Sequence, residues 1–364
     1  MTKKILLKKI VFCLIAILVL SSTFLFEKNL YIVFNNKIAK IENSLSQCLF
    51  QVHYINVGQG DAIAIKLPDG KNMLIDSGTE QSSTYLVNYL NKHFFKTTQK
   101  KLDYFVITHP HLDHIGGAEQ IFESFEVVSY FCPNITDDVS DTENEMFFIQ
   151  SQEKILNLAE NEPNCSINYV DYTTSSIESN LYSIEFLSPF NVSYSVNDYS
   201  IIMLITYNDK KFVFTGDAEE YSEINVINYH SEKLKDIDVL KVGHHGSKTS
   251  SSSDFIHFLN PKYSVICVGR DNDYLHPNEN VLNRLNGINS KILRTDNNGN
   301  IILGVSLEKE IVLTYEYENR LPLRIQVWQV FIVLSVVVCV IIFAINFDNK
   351  PKKDAIRKQI IFKK

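Results

Sequence analysis

Three histidines and an aspartate fall within His109-Pro110-His111-Leu112-Asp113-His114, directly after the mostly apolar run Leu102–Ile107. Imidazole nitrogens and carboxylate oxygens are the donors that borderline-soft divalent metals select. The heptapeptide Thr108–His114 holds three of the chain's ten histidines, so a metal site is the reading that follows. In an extended segment side chains alternate, so His109 and His111 project to one side and can hold one cation together. Asp113 and His114 lie where the chain bends towards Gly116-Gly117 and can turn to a second. Two adjacent cations are a known device for attacking phosphoryl and acyl centres.

Three further segments have the character of strands that deliver donors at their ends. Lys211–Asp217 is apolar and ends in an aspartate able to bridge two cations. Val239–Ser247 ends in His244-His245 and a small-residue loop, and Leu74-Ile75-Asp76-Ser77-Gly78 ends in an acid. A buried strand ending in a capped aspartate is common in α/β proteins. Four such ends at one edge match the place where open α/β layers build sites.

In this order Asp76, His109-x-His111-x-Asp113-His114, Asp217 and His245 resemble the metallo-β-lactamase superfamily. That resemblance implies an α/β fold, a four-layer αββα sandwich, carrying one or two metals, usually zinc. More narrowly, Val57-Gly58-Gln59-Gly60-Asp61-Ala62, Asn197-x-x-Ser200, His244–Ser250, His276-Pro277 and Arg294-Thr295-Asp296-x-x-Gly299 are similar to the extracellular hydrolase domain of the ComEC family of competence DNA-uptake proteins. The similarity runs from about residue 50 to 315. The family's membrane channel and amino-terminal oligonucleotide-binding domain have no counterpart here, which implies a hydrolase module standing alone.

The resemblance further implies two divalent cations, Zn2+ or alternatively Mn2+. His109, His111 and Asp217 would hold one; Asp113, His114, Asp217 and His245 would hold the other. His244 is the alternative to His245, which is preferred because superfamily members generally carry a small or turn-forming residue directly after the ligand, here Gly246. Asp76, Asp113 and His276 are the expected catalytic residues. Asp76 would orient a ligand imidazole or the attacking water, and His276 would protonate the leaving oxygen or bind phosphate. Asn197, Ser200, Ser247, Lys248 and Arg294 are the expected substrate contacts. Many superfamily members add a third histidine to the first cation, from between the histidine cluster and the bridging aspartate. Between His114 and Asp217 this chain has none, so the first cation is expected to bind less tightly or keep more water.

The elements needed to position these groups are legible in the hydrophobic pattern. Strands are expected near residues 51–55, 62–66, 72–76, 102–108, 127–131, 183–187, 201–207, 211–215, 239–242, 264–268 and 311–317. Helices are expected over 83–95, 143–159, 219–229, 253–259 and 279–285, from apolar spacing of three and four. Helices interleaved with strands suit two packed sheets flanked by helices. Residues 48–320 are long enough for one such domain with a full core.

The ends carry a different pattern. Lys3, Lys4, Lys8 and Lys9 precede Ile10–Phe26, which has no charged residue, and a linker over 27–47 follows. Val327–Phe347 is also uncharged and precedes a tail, 348–364, with seven Lys or Arg. Both segments read as transmembrane helices, the first as an uncleaved anchor. Cationic flanks stay cytoplasmic, so both termini are expected inside and the domain outside, with Trp328 at the outer boundary.

Cys13 and Cys339 lie inside these spans, and Cys48, Cys132, Cys165 and Cys267 form no close pair, so disulfides are allowed but not required. Of the formal charge of −7, the first nine residues contribute +4 and residues 348–364 contribute +5, so the chain between carries −16. Such a domain repels a long polyanion except where cations reverse the field.

The function expected is extracellular, metal-assisted hydrolysis of a phosphodiester, in DNA or in a cell-wall polymer. Alternatives are an acyl hydrolase of β-lactamase or lactonase type and a non-catalytic binding module with a degenerate metal site. The expected partners are the membrane and the phosphodiester, DNA or a cell-wall polymer; a competence-channel or wall-synthesis partner is left open, since the sequence identifies none.

Overall fold

Most strands are largely buried, and alternate side chains enter different cores. In Asn72–Ile75, Met73 and Ile75 point to one side and Leu74 to the other; in Lys210–Phe214, Phe212 and Phe214 oppose Val213. Strands apolar on both faces need cover on both faces, and the computed structural model shows how this is met. It describes residues 45–95, 100–135, 143–190 and 195–316.

Eight strands form one sheet in the order Ile311–Tyr315, Ile301–Val305, Phe50–Tyr54, Ile63–Lys66, Asn72–Ile75, Tyr104–Val106, Ser129–Pro133, Ser166–Val170. Seven form another: Lys291–Arg294, Tyr263–Ile266, Val239–Lys241, Lys210–Phe214, Met203–Tyr207, Tyr182–Phe186, Ile177–Glu178. Between the sheets lies a core that includes Phe50, Tyr54, Met73, Val106, Phe186, Met203, Phe212 and Phe214. Outside the first sheet, Leu74, Phe105 and Tyr130 pack on Leu86, Ile121 and Ile155 of helices Ser83–His93, Ala118–Ser124 and Glu143–Asn161. Outside the second, Leu204, Val213 and Leu240 pack on Val226, Phe255 and Val281 of helices Glu220–His230, Ser253–Leu259 and Glu279–Gly287. The layers are therefore αββα, as the resemblance implied.

Each sheet contains a parallel block. In the first, Asn72–Ile75 runs parallel to Tyr104–Val106, and that strand to Ser129–Pro133. In the second, Lys210–Phe214, Val239–Lys241, Tyr263–Ile266 and Lys291–Arg294 are parallel in turn. Parallel strands place their carboxyl ends on one edge, and these ends lead into Asp76, Thr108–His114, Asp217 and His244-His245.

Four strands were not expected: Ser166–Val170, Ile177–Glu178, Lys291–Arg294 and Ile301–Val305. The first three stand at or beside sheet edges, where one face is solvated and the apolar run is short. The fourth carries Gly304, a residue that weakens a strand signal, and owes its place to pairing with Phe50–Tyr54. The expected strand 102–108 is shorter, Tyr104–Val106, and Leu112–Ile115 forms a helical turn instead of a bend. Ser252 caps helix Ser253–Leu259, accepting from the Phe255 N–H at 3.3 Å.

The segments Ile10–Phe26 and Val327–Phe347, with both tails, lie outside the described residues. Among those described, no helix is long and apolar enough to cross a membrane. Cys48, Cys132, Cys165 and Cys267 are free thiols.

Candidate metal centre

Asp76 leaves its strand with a left-handed backbone (φ 58°) and lies fully buried. Its Oδ1 accepts the Thr108 N–H at 2.7 Å, and its Oδ2 accepts the Thr108 hydroxyl at 2.8 Å and His114 Nδ1–H at 2.7 Å. The last bond sets the tautomer of His114 and turns Nε2 inward. Of the two roles expected for Asp76, the geometry matches orientation of an imidazole.

His109 and His111 follow Thr108 in the bend beyond strand Tyr104–Val106, and their rings meet, His109 Nε2 lying 3.0 Å from His111 Nδ1. The other nitrogen of His109 faces Thr108 Oγ1 at 3.2 Å and Ser200 Oγ at 3.3 Å. Asp113 sits in the helical turn that follows, beneath the loop Val57–Ala62. Gly60 (φ 141°) permits this packing, because a Cβ there would lie 2.4 Å from the Asp113 carbonyl oxygen. The Asp61 N–H donates to that same carbonyl at 3.1 Å.

From the second sheet, Asp217 is held by its N–H donating to Ser200 Oγ at 3.0 Å. His244 (φ 47°) and His245 (φ 51°) form a left-handed turn. The next residue, Gly246 (φ 83°), passes against Pro277, whose Cβ would be 2.6 Å from any added Cβ. The turn swings His245 Nε2 to 3.0 Å from Asp113 Oδ2 and 3.4 Å from Asp217 Oδ2, while Nδ1 donates to the Cys267 carbonyl at 2.8 Å.

The result is one contracted set. One donor atom each from Asp113, His114, Asp217 and His245 lies within 4.8 Å of all the others. His114 Nε2 and Asp217 Oδ1 are buried 3.2 Å apart, and neither has a hydrogen-bond partner. Converging nitrogen and oxygen donors with buried, unused lone pairs fit a divalent cation. Asp61, Asp76 and His114 converge similarly behind this set, but both carboxylates already have fixed partners. Asp76 holds Thr108, and Asp61 is ion-paired with the fully buried Lys241.

Charge explains the protonation pattern. Four aspartates crowd here against Lys241 alone. Burial opposes a charge on His114, yet the carboxylates of Asp217, Asp76 and Asp113 outweigh it and hold the imidazole protonated well above its usual range. His245 behaves likewise: burial opposes, and Asp217, Asp113 and Asp61 push it up to about 10. His109 and His111 are instead kept neutral by burial. Without a cation the carboxylate-rich half retains protons, and a divalent cation would displace them.

The set floors a cleft of about 470 Å³ lined by Gln59, Thr79, His111, Leu112, Asp113, Phe148, Asp217, His244, His245, Tyr274 and His276. His276, expected from the sequence, stacks on Tyr274 with ring centroids 5.8 Å apart; burial and the nearby His244 and His245 lower it to about 4, so its ring is neutral at pH 7.

None of the five expected substrate contacts lines the cleft. Ser200 is fully buried and clamps His109 and Asp217. Asn197 gives its amide to Glu219 at 3.2 Å. Ser247 is buried and its hydroxyl meets that of Thr249 at 3.0 Å, while Lys248 is solvent-exposed. Arg294 pairs with Asp296 through Nε at 3.0 Å and Nη2 at 2.6 Å.

Three residues of the site were not anticipated: Asp61, Lys241 and Glu219. Lys241 had a usable signal, a lysine inside the otherwise apolar Val239–Val242. Its Nζ also donates to the Gly216 carbonyl at 3.1 Å, and Asp61 and Asp217 raise its pKa against the burial that would lower it.

A family model described as the metallo-β-lactamase superfamily matches residues 55–270. ComE operon protein 3 of Bacillus subtilis is 30% identical over 283 residues, 74% of this chain and 33% of that protein. Recombination protein 2 of Haemophilus influenzae is 27% identical over 260 residues, 71% of this chain and 29% of the relative. The chain thus spans about a third of the length of these relatives. Among solved structures, the metallo-β-lactamase fold protein YhfI from Bacillus subtilis aligns at a TM-score of 0.43 with 13% identity, covering 67% of this chain and 95% of that one.

Proposed function

The chain belongs to the metallo-β-lactamase superfamily, and from that premise we propose that it is a membrane-anchored phosphodiesterase working outside the cell with two divalent cations, Zn2+ or Mn2+. The observation that supports it is the contracted, buried set Asp113, His114, Asp217 and His245 at the floor of an open cleft, with His109 and His111 beside it. His109, His111 and Asp217 would hold one cation, and the contracted set the other. Bound there, divalent cations would lower the pKa of water and draw charge from phosphoryl oxygens.

The chain's own groups do the rest. Asp76 keeps His114 in one tautomer, Ser200 keeps His109 and Asp217 in place, and the neutral His276 offers a ring nitrogen to a substrate oxygen from the cleft wall. For the substrate two features pull apart. The relative named for recombination favours nucleic acid, while the −16 of the central chain favours a smaller or zwitterionic wall phosphoester.

The test is hydrolysis of bis(p-nitrophenyl) phosphate and of a chromogenic β-lactam, side by side, by the detergent-solubilised full chain. Phosphodiester cleavage that needs added Zn2+ or Mn2+ and stops with chelator is expected. Preference for the β-lactam, or indifference to chelator, would refute the reading. For single-stranded DNA, rates that fall steeply with salt would indicate a basic binding path and favour nucleic acid. Rates that rise from very low salt would favour the smaller phosphoester. Reporter fusions after Leu321 and at Lys364 test the topology; outside activity at the first position only is expected.

A further inference from the structure

The two-cation reading leaves His244 without a role, yet the chain goes to some length to place it. His244 and His245 both adopt a left-handed backbone that side-chain-bearing residues occupy rarely and that surrounding contacts must enforce. The His244 N–H donates to the Gly216 carbonyl at 3.2 Å, anchoring the turn to the loop that carries Asp217. Consecutive imidazoles then diverge, their centroids 6.2 Å apart and their planes at 68°. His245 drops to the buried floor, while His244 keeps 23% of its side chain exposed on the cleft wall.

The two nitrogens of His244 face different surroundings. Nδ1 lies 3.3 Å from Glu219 Oε1 and 3.3 Å from Thr249 Oγ1. Nε2 faces Asp217 Oδ2 at 3.8 Å, on the same carboxylate that also meets His114 and His245. Imidazoles that bind metals usually give their other ring N–H to a carboxylate, which sets the tautomer and aims the free lone pair. His109 shows the same division, one nitrogen against the Thr108 and Ser200 hydroxyls and the other turned to His111. Asn197 supports the arrangement from behind, donating to the same Glu219 oxygen at 3.2 Å.

We propose that His244, oriented by Glu219, is the third imidazole of the His109–His111 cation position, replacing the histidine missing between His114 and Asp217. The proposal rests on the two-cation reading above. His109, His111, His244 and Asp217 are not drawn together within 4.8 Å as the other set is, so this position is the looser of the two. Its retention is what His244 should control.

Equilibrium dialysis of the detergent-solubilised full chain against Mn2+, with bound metal counted by elemental analysis, tests this without recourse to activity. Wild-type chain is expected to take up two Mn2+ with unequal affinity. His244→Asn, chosen because asparagine tolerates the left-handed backbone, should keep the tighter ion and lose the weaker. Glu219→Gln should weaken the looser ion about 10–100-fold and leave the tighter unchanged, and it serves as the test if circular dichroism shows His244→Asn to be unfolded. A folded His244→Asn retaining both ions at wild-type affinity, or Glu219→Gln with an unaltered weaker ion, would overturn the proposal and leave the two-cation reading intact. Wild-type chain that takes up at most one Mn2+ would overturn that reading and the proposal with it.

Discussion

The two halves of the cleft floor are assembled by different means. His109 and His111 come from one strand end, are kept neutral by burial, and lean on each other and on hydroxyls. Asp113, His114, Asp217 and His245 come from three separate segments and meet in a buried cluster where carboxylates hold imidazoles protonated. The first half is a local product of two residues close in sequence, just past the strand Tyr104–Val106. The second exists only because opposite charges are compressed by the fold, and it needs a cation, proton or metal, at its centre.

Asp217 would serve both cation positions, so its loss should have the largest effect. Asp217→Asn is expected to lower kcat/KM for a phosphodiester on the order of 10³-fold and to cut bound metal below one equivalent. Asp113→Asn touches one half only and should spare the metal at the other. Equal metal loss from both substitutions would break the distinction between the halves.

Lys241 tests the charge argument through stability. It is fully buried against Asp61, and removing one partner of a buried ion pair leaves an uncompensated charge that costs about 3–5 kcal/mol. Lys241→Met should destabilise by that amount in denaturant unfolding, and adding Asp61→Asn should restore more than half. If the double substitution is as damaging as the single one, the two residues do not act as a pair.

The pH dependence tests the same charge argument, and its sign depends on metal. In metal-free protein His245 titrates near 10, above its ordinary 6.5, because Asp217, Asp113 and Asp61 overcome burial. Its proton therefore contributes stability that is complete below about 6.5 and is lost as pH rises through about 10. A bound divalent cation takes the proton's place, so apparent metal affinity should rise with pH, by up to about tenfold per unit for each proton displaced. Thermal melts of metal-free chain from pH 6 to 10, beside metal titrations over the same range, check both signs.

Much of this arrangement could be read before any coordinates. The strand cores that present Asp76, Thr108 and Asp217 are continuous apolar runs, and those patterns survive in any fold that buries both strand faces. The donors of Thr108–His114 are adjacent in sequence, so their chemistry needs no long-range contact to be recognised. Ser200 and Asn197 are expected as substrate contacts because the Asn197-x-x-Ser200 element belongs to the family resemblance. In the folded chain both are used up internally, Ser200 on His109 and Asp217 and Asn197 on Glu219. Hydrogen-bond partners of that kind are set by through-space approach, which spacing does not encode.

What the sequence by itself determined is the donor inventory and the strand ends that carry it, because side-chain chemistry and hydrophobic alternation are local properties. Only the tertiary structure decided which donors converge. It placed Lys241 beside Asp61 across the two sheets, and it sent His244 and His245 in different directions through two left-handed residues. The physical reason is that a buried charge is tolerable only beside a particular partner, and a left-handed turn persists only where packing enforces it. Both conditions are met by residues far apart in the chain.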